Sequence, residues 1–190
     1  MSNVEELKSL AEQMLEMSDD ELMKNLPDMA PKLKGHVKEI MDEDPDITAK
    51  IVKRMDKADV KTMAAKAPKA IDAFTEILWE GVGIVAERNA DFKKALKNVG
   101  SVKLNYEADD SSLQGHYEIK DAKLAGGPGK LNSADITVQG HTATLIKLVT
   151  GGLDPMKGLM MRQYKLEGPL ALGMKLTGAF KAMADALKSG

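Results

Sequence analysis

Two hydrophobic periods divide the chain. Up to Gly100, apolar side chains recur three and four apart, as in Val4, Leu7, Leu10, Met14 and Leu15, and again in Leu33, Val37, Ile40 and Met41. That spacing places them on one face of a helix, and it predicts a run of short amphipathic helices. Ser18-Asp-Asp-Glu21 has the spacing of a capping box, and Pro31 suits a first helical turn. Asp44-Pro45 is expected to stop one helix before Asp46 caps the next, and Asp59 to open a brief helix over 60–67. From Pro68, the residues Ile71, Phe74, Leu78, Val82, Val85, Phe92, Leu96 and Val99 trace one stripe along a connecting helix over 68–99. Gly81 and Gly83 are expected to bend or break it.

Beyond Gly100 the period falls to two. Val102, Leu104, Tyr106 and Ala108 alternate with Lys103, Asn105 and Glu107, as a half-buried strand requires. After a turn at Asp109-Asp110-Ser-Ser, the segment 113–119 puts Leu113, Tyr117 and Ile119 on one face. Gly126-Gly-Pro-Gly129 reads as a flexible hairpin, and Ala134, Ile136 and Val138 as another strand. Helical spacing returns over 142–149 and 155–161, followed by a short strand at 164–168 and a last helix from Pro169 to about Lys188. The start of that helix, 170–176, is apolar nearly all round and should be enclosed on most sides. The pattern is α+β: a helical region over 1–67, the connecting helix 68–99, and a sheet covered by helices over 100–190.

Composition narrows the function. With 27 Lys+Arg against 29 Asp+Glu the net charge is −2, which argues against a charge-driven nucleic-acid partner. The chain has no cysteine, so disulfides, thiolate metal sites and thiol nucleophiles are excluded. The opening Met1-Ser-Asn-Val-Glu-Glu lacks the features of an export signal and no apolar run is long enough to span a bilayer, so a cytoplasmic location is expected. Aromatic residues are few, whereas methionine reaches 13, which predicts a flexible, thioether-rich interior.

Familiar chemical motifs do not assemble. Gly126-Gly-Pro-Gly-Lys130 lacks the first glycine and the Ser/Thr of a phosphate loop. Asp42, Asp44 and Asp46 open like a calcium loop, but Ile47 stands in place of the glycine and Lys53 in place of the bidentate glutamate; a solvated interhelix loop is the reading preferred. His36, His116 and His141 are scattered, without a carboxylate at ligand spacing, so no metal and no cofactor are expected. There is no nucleophile elbow. Asp109-Asp110 reads as a solvated turn of ordinary acids, and Trp79 with Phe74 as core rather than as a stacking platform. No catalytic residue is proposed, and the protein is not expected to be an enzyme.

The surplus of apolar residues between Thr142 and Leu176 exceeds what a thin two-layer domain needs. In this stretch the chain resembles the sterol carrier protein 2 (lipid-transfer) family. The resemblance is carried by Ala134-Asp-Ile-Thr-Val, by the junction Thr150-Gly-Gly-Leu-Asp-Pro155, and by Met156-Lys-Gly-Leu-Met-Met161. Tyr164-Lys-Leu-Glu-Gly168 and Leu170-Ala-Leu-Gly-Met-Lys-Leu176 follow in the family's order. It covers roughly residues 90–190 and departs at Gly126–Gly129 and at Arg162-Gln163; the first 90 residues are not recognised as resembling any family.

The resemblance implies a five-stranded, mainly antiparallel sheet enclosing an apolar tunnel for fatty acyl, sterol, phospholipid or isoprenoid ligands. On the motif residues, Leu145, Leu148, Val149, Leu153, Met156, Leu159, Met160, Leu170 and Met174 would line or border it. The strand pattern adds Tyr106, Tyr117, Ile119, Ile136 and Val138, and Phe180, Met183 and Leu187 would close one end. Lys147, Lys157 and Lys175 read as solvated helix faces, with a head-group contact as the less favoured alternative. Removing about 15 methylenes from water is worth about 12 kcal/mol gross, so such binding needs no polar constellation. A hydrophobic small molecule is therefore the first expected partner, with transient membrane contact accompanying transfer. The alternative function is a ligand-free scaffold, in which the stripe from Ile71 to Val99 recruits a protein partner or a second copy. It competes with the plainer reading that residues 4–41 cover that stripe.

Overall fold

The structure, a computed structural model, describes residues 3–189; Met1, Ser2 and Gly190, the first two of which belong to the sequence reading of the opening segment, lie outside the described residues. The first part of the chain is helical: α1 (Asn3–Glu16), α2 (Asp19–Leu33), α3 (Val37–Glu43), α4 (Ile47–Met55), α5 (Val60–Lys66), α6 (Pro68–Arg88) and α7 (Ala90–Val99). The second part follows as β1 (Val102–Ala108), β2 (Gln114–Lys120), β3 (Lys123–Pro128), β4 (Ile136–Gly140), α8 (Thr142–Thr150), α9 (Pro155–Met160), β5 (Tyr164–Glu167) and α10 (Leu170–Ser189).

Local chemistry accounts for most of these boundaries. Ser18 accepts from the Glu21 N–H while its own N–H donates to the Glu21 carboxylate at 2.8 Å, closing the expected capping box. Asp59 accepts from the Thr62 N–H at 3.0 Å and opens α5. Asp46 does precede α4, but its side chain makes no capping bond; Asp44 instead accepts from the Asp46 N–H and from Lys50. Asp44 is buried, so this loop is less solvated than its composition implied.

Three sequence expectations are corrected. Pro31 does not start a helix: α2 runs through both Pro27 and Pro31, because its apolar residues Leu22, Leu26, Met29 and Leu33 are all buried and α2 packs along α6. Tertiary burial outweighs the lost backbone donors. The long helix does not break at Gly81 and Gly83; it continues to Arg88, and the break comes at Asn89, whose extended backbone ends α6 while its side chain accepts from the Phe92 N–H at 2.9 Å to start α7. The role of Gly83 is close approach. A Cβ there would lie 2.7 Å from the Leu124 carbonyl oxygen of β3.

The third correction concerns Gly126–Gly129. The chain reverses earlier, at Asp121 and Ala122, both with positive φ, and Gly126, Gly127 and Pro128 lie within β3, paired with Tyr117, His116 and Gly115. A Cβ on Gly126 would come 2.9 Å from Trp79 Cγ and 2.9 Å from Tyr117 Cβ. The glycine therefore admits the indole of α6 onto the sheet, and Pro128 is tolerated because β3 is an edge strand.

The sheet has the order β3-β2-β1-β4-β5, with β1 and β4 parallel and the other pairs antiparallel. The registers Leu104↔Tyr117, Leu104↔Ile136 and Tyr106↔Val138 align these residues on one apolar face. Helices α6 and α7 pack on β3, α8 on β4, and α10 on α7 and α8. Helices α2, α3 and α5 pack on α6, and α4 on α8 and α10. A single apolar core runs from Leu7 of α1 to Leu187 of α10. The stripe from Ile71 to Val99 thus finds its cover within the same chain, which removes the motive for covering it with a partner.

Candidate ligand cavity

Where the sheet, α6, α8 and α10 meet the outer helices, side-chain packing leaves a cavity of about 190 Å³. Its sheet wall is Leu104, Tyr106, Tyr117 and Val138; α8 supplies Leu145, Ile146, Leu148 and Val149, and α10 supplies Phe180, Met183 and Leu187. The outer N-terminal helices contribute nearly half: Ala11, Met14 and Leu15 from α1, Leu22, Leu26 and Leu33 from α2, Val37, Ile40 and Met41 from α3, and Ile47, Ile51, Val52 and Met55 from α4 are among their wall residues. Close-packed interiors hold few voids larger than a water molecule. A dry apolar cavity of about 150 Å³ is enough to hold benzene, so this one accepts a hydrocarbon segment as it stands. It is smaller than the roughly 300 Å³ at which ordinary ligand pockets begin. A long chain therefore requires its thioether-rich wall to give.

Among the expected wall residues, Tyr106, Tyr117, Val138, Leu145, Leu148, Val149, Phe180 and Met183 border this cavity. The structure does not bring Ile119, Ile136, Leu153, Met156, Leu159, Met160, Leu170 or Met174 to it. Ile119 and Ile136 fill solid core on the same sheet face. Leu153, Met156 and Leu159 are half-buried around α9, which packs against β5 and α10. Met160, Leu170 and Met174 are 77%, 75% and 46% exposed. The start of α10 is therefore not enclosed as its composition implied: Gly173, Leu176 and Thr177 take its inward side, with Gly173 set against Leu166. Lys147, Lys157 and Lys175 are exposed and do not border the cavity.

The wall contributions from α1 to α5 went unassigned in the sequence. Their signal was the helical spacing itself, which shows that a face is buried but not whether it meets solid core or a void.

One wall carries a cluster of rings. Trp79 lies 5.0 Å from Tyr117 and 5.9 Å from Tyr106, and Tyr117 meets Phe180 edge-on at 6.3 Å. The Trp79 Nε1–H donates to the Tyr106 hydroxyl at 3.0 Å. Burial pushes the Tyr106 pKa up to about 12 and raises that of Tyr117 well above the ordinary phenol, so both remain neutral. Tyr106 lies against Gly115, where any Cβ would overlap its hydroxyl. The remaining polar groups of the wall are few. Thr75 Oγ1 donates to the Ile71 carbonyl at 2.8 Å, and the Arg54 guanidinium is taken by Asp19 at 2.6 Å and by the Met17 carbonyl at 2.9 Å.

Outside the cavity, strand β1 ends where α8 begins, and there Asp109, Asp110 and His141 converge to within 4.8 Å. The sequence had kept these groups apart. Asp110 is not an ordinary solvated acid: it accepts from the Thr142 N–H at 2.8 Å and from the Thr142 hydroxyl at 2.7 Å, and it pairs with Lys61. These bonds hold its pKa down to about 2. The carboxylate is thereby committed to capping α8, the role that position His141 leaves open because its own side chain makes no capping bond.

A sequence profile described as the SCP-2 sterol transfer family matches residues 85–181. A crystal structure of sterol carrier protein 2 superposes with a TM-score of 0.50 and 16% identity, covering 60% of this chain and 96% of its own. The solution structure of a conserved hypothetical protein from Thermus thermophilus, described as possibly a sterol carrier protein, also gives 0.50 and 16%, over 61% and 87%. A sec-alkylsulfatase from Pseudomonas sp. aligns over 95% of this chain but 32% of its own, at 18% identity and a TM-score of 0.43. No curated protein matches the chain. At these identities the structural likenesses speak for the fold alone.

Proposed function

The chain belongs to the SCP-2 sterol transfer family, and from that premise we propose that it carries lipids in the cavity between its sheet and its helices, without catalysing their conversion. The observation that carries this reading is a cavity of about 190 Å³ with an almost wholly apolar wall in a chain whose core is otherwise continuous. Such a void forfeits packing contacts in the empty protein, and an apolar guest restores them while leaving water. Fatty acyl, isoprenoid, sterol or phospholipid tails fit the wall chemistry. The larger of them enter only if the outer helices shift on the sheet. No catalytic role is assigned to Asp109, Asp110 or His141, because they do not border the cavity and Asp110 is occupied in capping.

The large exposed apolar residues Met160, Met161, Leu170 and Met174 fall within one short stretch of chain. Between residues 156 and 175 the cations Lys157, Arg162, Lys165 and Lys175 meet a single carboxylate, Glu167, and none of the four is in an ion pair among the described residues. Apolar side chains interleaved with free cations suit an anionic bilayer, and we assign the donor and acceptor membrane contact to this surface. Native mass spectrometry of the full chain purified from cells tests the carrier reading. Retained lipid, or uptake of added fatty acid and isoprenoid, is expected; ligand-free protein that takes up neither overturns it.

A further inference from the structure

The chain holds 13 methionines and no cysteine, so all its sulfur is thioether and no thiol competes for a two-electron oxidant. The fold sorts these thioethers by exposure. Met160, Met161 and Met174 are 77%, 69% and 46% exposed, and with Leu170 they are the large apolar side chains that the described residues leave open to solvent. The methionines that line the cavity, Met14, Met41, Met55, Met63 and Met183, are each at most 9% exposed. Met17, Met23, Met29 and Met156 are buried or half-buried. Leucine would give the three exposed positions a comparable apolar surface; what methionine adds there is an accessible sulfur.

Oxidation to the sulfoxide turns a flexible apolar side chain into a polar one. At the cavity wall that change would disrupt packing. At Met160, Met161 and Met174 it disturbs no core contact, and it removes the apolar half of a surface whose other half is Lys157, Arg162, Lys165 and Lys175. The cations keep their attraction for an anionic bilayer, but insertion into it is lost.

We propose that Met160, Met161 and Met174 form a reversible oxidation site, at which hydrogen peroxide switches off membrane docking and leaves the cavity intact. The peroxide O–O bond breaks as one oxygen bonds to Sδ and the other leaves as water; the sulfur gives up two electrons and the peroxide takes them. A methionine sulfoxide reductase reverses the step, its dithiol becoming a disulfide while the oxygen leaves as water. This rests on the membrane contact assigned to the surface above and adds its regulation.

The full chain is treated with limiting hydrogen peroxide and mapped by peptide mass spectrometry. Met160, Met161 and Met174 should gain oxygen at least about tenfold faster than the cavity methionines, because susceptibility follows exposure. Flotation with phosphatidylglycerol vesicles should fall about tenfold and return after treatment with the reductase. Uptake of decanol should be unchanged, read from the emission of Trp79, which is the lone tryptophan and a wall residue of the cavity. The triple variant M160L/M161L/M174L keeps the apolar surface without its sulfur, so it should float as the parent does and stay bound after peroxide. Oxidation spread evenly over buried and exposed methionines overturns the proposal. So does an oxidised parent that floats undiminished, a loss of decanol uptake along with flotation, or a triple variant that peroxide releases equally well. A parent that does not float before any peroxide is added overturns the membrane assignment itself, and this switch with it.

Discussion

The Trp79 indole of α6 donates its N–H to the Tyr106 hydroxyl of β1 at 3.0 Å, and this bond ties the long helix to the middle of the sheet beside the cavity. Both residues are largely buried, so the indole N–H has no access to bulk water. Y106F leaves that donor unpaired and is expected to cost about 1–2 kcal/mol of unfolding free energy. Chemical denaturation measures the loss, and the lone tryptophan should shift its emission as its partner disappears. A variant as stable as the parent would show that the bond contributes nothing to holding helix on sheet.

All three tyrosines of the chain are shielded. Burial raises Tyr106 and Tyr164 to about 12 and holds Tyr117 well above its ordinary value. For an acid whose folded pKa is raised, stability is complete below the unfolded pKa near 10 and is lost as pH climbs toward the folded value. Phenolate absorbance should therefore stay flat through pH 10 to 11 and then rise together with loss of helical circular dichroism. Gradual ionisation near pH 10 in a protein that remains folded would contradict the burial of these rings.

Glycine serves close approach at two contacts of the sheet. A Cβ at position 83 would sit 2.7 Å from the Leu124 carbonyl oxygen, and one at position 115 would overlap the Tyr106 hydroxyl and lie 2.8 Å from the Gly127 carbonyl oxygen. Helix propensity alone would make G83A stabilising by up to about 1 kcal/mol. The clash is with backbone, which cannot rotate away, so the expected outcome is a net loss of about 2 kcal/mol, since overpacking typically costs 1–3 kcal/mol. Thermal unfolding of G83A beside the control G178A decides between them, because nothing lies within 4 Å of a Cβ at Gly178.

These glycines also mark where the sequence stopped being legible. The alternation that identifies β1, β2 and β4 is a local property, as are the capping residues Ser18 and Asp59, and both could be read directly. Gly126-Gly-Pro looked like a turn because glycine and proline are usually local punctuation. Here they answer to a neighbour distant in sequence, the indole of Trp79, and nothing near position 126 announces it. The same limit shaped the wall assignment. Period two identified Tyr106, Tyr117 and Val138 on one face together with Ile119 and Ile136, but only the packing of helices onto that face shows which of them meet solid core and which meet a void.

Asp110 links acid stability to the start of α8. Its lowered pKa, about 2 against 3.8, comes first from the two bonds it accepts from Thr142, on top of which Lys61 adds attraction. A carboxylate with a depressed folded pKa stabilises above its unfolded pKa, and that contribution disappears as pH falls through the folded value. D110A should therefore cost about 1–2 kcal/mol at pH 7, the range of a lost helix cap. The gap between variant and parent should narrow between pH 4 and pH 2. A constant gap across that interval would assign the loss to packing instead of to the charged cap.

The surface formed by Met160, Met161, Leu170 and Met174 should have a membrane signature distinct from ligand binding. Each of these side chains gains about 1.5–3 kcal/mol on full burial, and each cation near an anionic bilayer adds about 1 kcal/mol. Shallow insertion realises only part of the first term, and salt screens the second. The full chain is therefore expected to float with vesicles rich in phosphatidylglycerol and to bind phosphatidylcholine vesicles at least tenfold more weakly, with the difference shrinking at high salt. Replacing the four apolar residues by serine removes no core contact, since all four are exposed. The variant should keep its helical circular dichroism and its uptake of decanol while losing vesicle binding by about tenfold or more. If it floats as the parent does, or if the parent binds neutral vesicles equally well, lipid must be exchanged through some other face of the molecule.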